Sequence, residues 1–508
     1  MLHLFPYLPA RRGTAPEADV CLIAEGCYPY VSGGVSSWID WLMRSQPELS
    51  FSVLAILPTR PDGSPRYPRP DNLRAIHHMR LDDLEIGFGR NWPEMSPKWL
   101  AQRLVRLLQN GEFDDLGALL ERLGAPRNRP QIDVLLNSRQ AWETLCKCYA
   151  AMPQSSFLAY FWAWRTLAGG LFRALTFPLP SARVYHAVST GYAGLVGARA
   201  ALETGRPSLI TEHGIYSNER RIEILMAEWI TNSIDTGFDF SDDREDVRDF
   251  WAAAFESFAR IGYEAASEVV ALYADNNAFQ QALGAEPTKL RVIPNGVDIA
   301  RFQTLPERRS GAPTIAFIGR VTPIKDVQTF IDVAEQVAHA VPGLRALVIG
   351  PMDEDPEYAR SCMDEVRNRG LSDMVSFTGP VDVRDYFGEI DVMVLTSISE
   401  AQPLVILEAG ASGVPCVATD VGACREILEG AADGRRKPEA PGGIVVPVGA
   451  PGETAQAVIK LLTDPELRHT YGETLRARVH DRYRSETIAR TYADFYGRYL
   501  ATPSTLEA

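Results

Sequence analysis

The chain has 508 residues, 46% of them hydrophobic and 23% charged, with a formal net charge of −14. This is ordinary globular composition at a length that suggests more than one domain, and the acidic balance weighs against nucleic-acid binding, which leaves a basic footprint. Seven scattered cysteines, an odd number with no Cys-x-x-Cys pair, argue against a disulfide framework.

The first residues, Met1 to Arg12, lack the charged-then-apolar order of a signal peptide. No apolar run reaches the length of about eighteen residues that a spanning helix needs. A reducing cytoplasm is the expected location.

Strands are expected at Asp19–Ala24, Phe51–Leu57, Leu73–Met79, Arg183–Val188 and Pro207–Thr211 in the first half. The second half reads Val269–Tyr273, Leu290–Pro294, Thr314–Gly319, Arg345–Gly350, Val375–Thr378, Asp391–Thr396, Pro415–Thr419 and Ile444–Pro447. Amphipathic helical stretches lie between most of them. One starts at Val327, with Asp326 placed to cap it. Strands this continuously apolar imply parallel sheets covered on both faces. The fold class is therefore α/β, as two doubly wound Rossmann-like domains. The first takes residues 1–275, the second 276–480, and a C-terminal helix over 481–508 crosses back to the first.

Residues 85–180 break the rhythm and read as a largely helical insertion, with patterns at Trp99–Leu108 and Ala141–Ala151. Its stretch from Phe157 to Phe177 is the most aromatic in the chain. It reads as a buried helix with Arg165 and Arg173 reaching outward, the other reading being a docking surface. A polar loop is expected over 429–443.

Four constellations could carry chemistry. After the first strand, Tyr28-Pro-Tyr-Val-Ser-Gly-Gly-Val-Ser-Ser-Trp38 places Gly33 and Gly34 at a helix start. Backbone N–H groups there can approach an anion, and a tight structural turn explains the glycines equally well. Arg320 and Lys325 follow the strand ending at Gly319, a fork and a point charge suited to a diphosphate. Glu400 is expected on a strand-to-helix loop and Glu408 about two turns into the helix that follows, eight residues apart, a span of roughly 12 Å if wholly helical. His213 ends another strand, where it can hydrogen-bond a sugar hydroxyl or a developing charge; for His186 a structural and a functional role stand open. Asp353-Glu-Asp355 has the look of a metal motif but reads as a surface loop, and Cys146-Lys-Cys148 lacks further ligands. No metal is expected.

Taken together, these motifs resemble the retaining family-4 glycosyltransferases of the GT-B fold. The resemblance rests on Pro294-Asn-Gly-Val-Asp298, Gly319-Arg320 with Lys325, Phe377-Thr-Gly379, the glutamate pair, Gly413-Val-Pro-Cys-Val-Ala-Thr-Asp420, and Gly443-Ile-Val-Val-Pro447. The opening motif and the insertion resemble more particularly the cytoplasmic glycosyltransferases of Pel exopolysaccharide systems. The resemblance implies transfer of a hexosyl unit from a UDP-sugar, UDP-glucose being expected, to a growing exopolysaccharide, with retention and without metal or cofactor. It implies that Arg320 and Lys325 hold the diphosphate, Glu408 the ribose and Glu400 the donor sugar. Amides at Leu404 and Val405 would reach phosphate and sugar, Gly33 and Gly34 would lie against the diphosphate, and His213 would sit beside donor sugar or acceptor. Partners would be the UDP-sugar, a polysaccharide acceptor and inner-membrane proteins of an export machinery. The chain departs from the pattern at Ala401-Gln402-Pro403, where the family has Gly-Phe-Gly; Pro403 has no N–H to offer. That departure keeps a second reading open, a sugar-nucleotide sensor without transfer.

Overall fold

The computed structural model describes residues 17–31, 33–61, 63–84, 91–125, 128–151, 156–214, 247–303, 311–430 and 439–501. Thirteen strands occur among them: β1 Ala18–Glu25, β2 Phe51–Leu57, β3 Leu73–Arg80, β4 Ala182–Ala187, β5 Ser208–Glu212, β6 Glu268–Ala271, β7 Leu290–Val292, β8 Thr314–Ile318, β9 Arg345–Ile349, β10 Val375–Gly379, β11 Val392–Leu395, β12 Cys416–Thr419 and β13 Gly443–Val446. Each lies within two residues of its expected place. The first sheet runs β3-β2-β1-β4-β5-β6-β7 and the second β10-β9-β8-β11-β12-β13. The pairings are parallel throughout, as between β1 and β4 and between β11 and β8.

Apolar continuity makes these strands what they are. Ile315 and Phe317 of β8 point into one core, Ala316 and Ile318 into another. Val392 and Val394 of β11 likewise part from Met393 and Leu395. Two-residue alternation thus feeds two hydrophobic layers, one on each sheet face. Each fully buried side chain of this size contributes about 1.5–3 kcal/mol. In both sheets the strand order reverses direction once, between β1 and β4 and between β8 and β11. Crevices for ligands open at such points, beyond the carboxyl ends of the strands.

The chain divides into two compact units. Unit 1 takes the described residues up to Ala271, then Asn276–Val292, and those from Ala493 onward; unit 2 takes Leu272–Asp275 and Ile293–Tyr492. This shifts the expected boundary at 275/276. β7 pairs with β6, so the helix Asn276–Ala282 and β7 complete the first sheet rather than opening the second. The last helix, Ser485–Leu500, starts in unit 2 and ends in unit 1. There Tyr496 hydrogen-bonds His186 at 2.6 Å, and Arg498 pairs with Glu268 at 3.2 Å.

Between β3 and β4 lie the helices Pro97–Asn110, Phe113–Leu123, Ile132–Asn137, Arg139–Ala150 and Phe157–Thr176. Ser96 caps the first, accepting from the Trp99 amide, with Pro97 at the first helical position. Arg129 and Arg199, both fully buried, share the Glu203 carboxylate at 2.6 Å each. Arg199 also donates to the carbonyls of Ala174 and Phe177, and Arg129 to that of Leu175. Burial pushes the Arg129 guanidinium down to about 10, with Arg199 adding to the fall and Glu203 opposing it.

The aromatic helix is buried from Ala163 onward, except at Arg165 and Thr166, whereas Trp142, Phe157, Leu158 and Trp162 are exposed. Arg165 reaches Asn137 at the surface. Arg173 does not reach outward: it is buried and donates to the Asp83 carbonyl, because the helix turns that face onto the loop after β3. The expected polar loop at 429–443 has its central residues, 431–438, outside the described residues. Among the described residues, no helix is long and apolar enough to cross a membrane.

Candidate functional site

The loops after β8 and β11 lie at the strand-order reversal of unit 2. Lys325 ends a 3-10 turn, Pro323–Lys325. Asp326 follows with φ +49° and caps the helix Val327–Ala340, accepting from the Thr329 amide at 3.2 Å and hydroxyl at 2.6 Å. The expected cap is thus present. The two loops are laced together: Thr396 Oγ1 donates to the Asp326 carbonyl at 2.8 Å, and the Ile398 amide to the Ile324 carbonyl at 2.9 Å.

That lacing brings Lys325 against Glu400. Lys325 Nζ donates to Glu400 Oε1, and Ser397 Oγ donates to the same oxygen at 2.8 Å. The two side chains are only 17% and 13% exposed. The Glu400 backbone is braced from the other side. Gly422 has φ +51°, and a Cβ there would come within 2.3 Å of the Glu400 carbonyl. The Ala423 amide donates to the Ala401 carbonyl at 2.7 Å.

Arg320 takes a different partner. Its guanidinium pairs with Glu354, both side chains nearly half exposed. Asp355 caps the helix Pro356–Asn368 by accepting from the Tyr358 amide at 3.0 Å. Two residues of the Asp-x-Asp stretch therefore serve as counter-ion and helix cap. Among the described residues no cluster of three potential metal ligands occurs. Cys148 is buried and packs its sulfur against the Ala101 carbonyl.

The helix Leu404–Ser412 begins after Pro403, with no side-chain cap. The Leu404 and Val405 amides are among the first N–H groups of a helix, which lack intrahelical acceptors and carry the positive end of its dipole. Burial pushes the Glu408 carboxyl up from 4.5 to about 7, against the pull of Arg301, with Asp382 adding to the rise. Sequence reading missed Arg301 and Asp382, which lie 107 and 26 positions before Glu408 with no local pattern to link them.

Gly33, Gly34 and His213 belong to unit 1. Gly33 precedes and Gly34 starts the helix Gly34–Ser45, and a Cβ on either would meet open space. The protein's own packing does not require glycine there. His213 has its ring centroid 4.3 Å from that of Trp38, edge-on, and its Nε2 is buried without a hydrogen-bond partner. Burial pushes it down to about 3, so it is neutral at ordinary pH. His186 is answered differently. Nδ1 meets Tyr496 and Nε2 meets Thr211 Oγ1 at 2.8 Å, which occupies both nitrogens structurally. Next to His213, the buried Glu212 accepts from Thr190, Tyr263 and Gln280 at 3.1, 2.6 and 2.8 Å. Its place at a strand end beside His213 was the only signal available in sequence.

Residues 18–288 match the family described as a domain of unknown function, DUF3492. The chain belongs to the DUF3492 family. In this DUF3492 protein, residues 312–464 further match the family of glycosyl transferases group 1, a stretch holding Arg320, Lys325, Glu400 and Glu408. A D-inositol 3-phosphate glycosyltransferase of Kineococcus radiotolerans is 33% identical over 229 residues, 41% of this chain and 52% of that protein. The chain spans about half the length of the curated relatives it matches. Among solved structures, the sucrose-phosphate synthase of Thermosynechococcus elongatus superposes with a TM-score of 0.59 at 17% identity, covering 95% of this chain and 99% of that one. Anabaena HepE, solved in complex with UDP-glucose, gives 0.57 at 16% identity, covering 95% and 100%. These likenesses carry the fold: the DUF3492 protein has the two-sheet GT-B architecture.

Proposed function

We propose that the chain is a glycosyltransferase that moves a hexosyl unit from a UDP-sugar, UDP-glucose first, to a growing exopolysaccharide of the Pel type with retention of configuration. The observation that carries this reading is the Lys325–Glu400 pair at the strand-order reversal of unit 2. A fixed cation meets a carboxylate there, just before an uncapped helix start, within the stretch that matches the glycosyl transferases group 1 family. Lys325, Arg320 and the Leu404 and Val405 amides would take up charge building on the departing UDP. Glu400 would hold the donor hexose and Glu408 the ribose. Gly33 and Gly34 would approach the diphosphate, and neutral His213 would hydrogen-bond the donor sugar or the acceptor. The fixed cations make a divalent metal unnecessary in this scheme. HepE's structure with UDP-glucose supports the choice of first donor to try. A cytoplasmic location, and recruitment by inner-membrane proteins of an export machinery, belong to the same proposal.

The test is hydrolysis and transfer of UDP-glucose, UDP-N-acetylglucosamine and UDP-N-acetylgalactosamine by purified protein, with and without chelator. Turnover should survive chelation and vanish in Lys325→Ala. Activity that disappears with chelator and returns with manganese, or near-normal turnover in Lys325→Ala, would refute the reading. UDP binding without turnover, acceptor and partners supplied, would instead establish a sensor.

A further inference from the structure

After a first short passage at Leu272–Asp275, the chain enters unit 2 for its main stretch at Ile293 and leaves it after Tyr492. Shortly inside the entrance lies Asn295; shortly before the exit lies Tyr483-Arg484-Ser485. These two passages are joined. The Val297 amide donates to the Tyr483 carbonyl at 2.8 Å, and the Ser485 amide to the Val297 carbonyl at 3.1 Å. Val297 and Arg484 form an isolated parallel bridge. Between them Gly296 lies so close that a Cβ would come within 2.7 Å of the Ser485 Cα. Entrance and exit are therefore bonded to each other along the backbone.

One side chain ties the joined passages to the loop after β11. Gln402 Oε1 accepts the Asn295 backbone N–H at 2.6 Å. Gln402 is 6% exposed and Asn295 7%, so the bond is shielded from water. The Asn295 side-chain oxygen is buried without a partner, so the amide makes the residue's polar tie to this loop. Gln402 stands two residues after Glu400, in the loop already braced by Gly422 and Ala423. A buried amide left without its acceptor costs about 1–3 kcal/mol, enough to hold a loop in register.

We infer that Gln402 is a positioning residue: its carboxamide links the joined entrance and exit passages to the loop that carries Glu400, and so sets where the Glu400–Lys325 pair stands. This rests on the transferase reading above. It assigns a role to the position at which the chain departs from the expected aromatic. Misplacement of a catalytic group by a fraction of an ångström acts on turnover more than on nucleotide binding.

The test compares Gln402→Met, which keeps size and loses the acceptor, with Gln402→Glu, which keeps a carboxyl oxygen facing Asn295. UDP-glucose hydrolysis, UDP binding by calorimetry and amide hydrogen exchange are read on the full chain. Gln402→Met should lower kcat about tenfold with KM and UDP affinity within about twofold, and Gln402→Glu should recover most of that loss. Exchange should rise in Gln402→Met both at 295–297 and at 397–401, and Gln402→Glu should restore both. Wild-type kcat in Gln402→Met, a kcat loss that Gln402→Glu does not repair, or a rise at 295–297 alone would overturn the inference. If the wild-type protein neither binds UDP nor turns over, the transferase reading fails. The exchange comparison then still decides the link, a joint rise supporting it and an isolated rise rejecting it.

Discussion

Glu408 offers a quantitative test of nucleotide recognition. Its carboxyl sits at about 7 rather than 4.5, chiefly because burial disfavours the charge. A carboxylate accepts the two ribose hydroxyls, whereas the protonated acid must give up one acceptor position to its own hydrogen. Binding should therefore select the ionised form. With a value of about 7, about nine-tenths of the protein is ionised at about pH 8 and about one-tenth at about pH 6. UDP-glucose affinity should fall about tenfold across that interval, about 1.4 kcal/mol. Calorimetry with UDP-glucose suits the measurement, since its diphosphate diester does not titrate there. His186 and His213, both pushed to about 3 by burial, stay neutral throughout. Glu408→Gln should bind more weakly at about pH 8 and show a flat profile. The linkage to folding has a definite sign. The folded state holds the Glu408 proton up to a higher pH than the unfolded chain, so the wild type loses stability as pH rises from about 4.5 to about 7. Glu408→Gln escapes that loss and should melt higher than wild type above about pH 7, the two converging toward about pH 4. A flat affinity profile in the wild type, or the same slope in Glu408→Gln, would refute the reasoning.

The Lys325–Glu400 pair is mostly shielded, so Lys325→Ala should destabilise unit 2 by about 1–3 kcal/mol, and adding Glu400→Gln should recover part of the loss; additive losses in a thermal-melt double-mutant cycle would show the pair uncoupled. Gly34→Ala should leave the melting point unchanged or raise it by the equivalent of up to about 1 kcal/mol, because helix position and open space both accept a methyl. The same variant should bind UDP-glucose several-fold more weakly by calorimetry; unchanged affinity would remove Gly34 from the donor's path.

Strands were legible because parallel strands buried on both faces are near-continuous apolar runs, which polar helices and loops interrupt. β7 shows the limit. Three residues of strand carry no mark of the sheet they join, and only pairing with β6 assigns them to unit 1. In the crevice, Lys325 and Glu400 were legible as loop residues after apolar strands. Their direct contact was not, since it depends on β8 and β11 being neighbours, a long-range fact. The sequence offers Arg320 as a cation awaiting an anion; its partner Glu354 is hidden in a stretch that has the look of a metal motif. The inward turn of Arg173 onto the Asp83 carbonyl leaves no mark in sequence, because amphipathic spacing tells which residues share a helix face, not what lies opposite that face. His186 was undecidable in sequence because one of its two partners, Tyr496, stands 310 residues away.

Glu203 answers two arginines, Arg199 on the same helix, Tyr192–Thr204, and Arg129 from the helical excursion between β3 and β4. The excursion is for that reason no detachable cassette. Cutting it out would strip Arg199 of the Ala174 and Phe177 carbonyls, and Glu203 of half its positive company, among buried side chains. Any shortened descendant of this chain would have to rewrite positions 199 and 203 in the same stroke, so the excursion and the sheet beneath it are bound to change together.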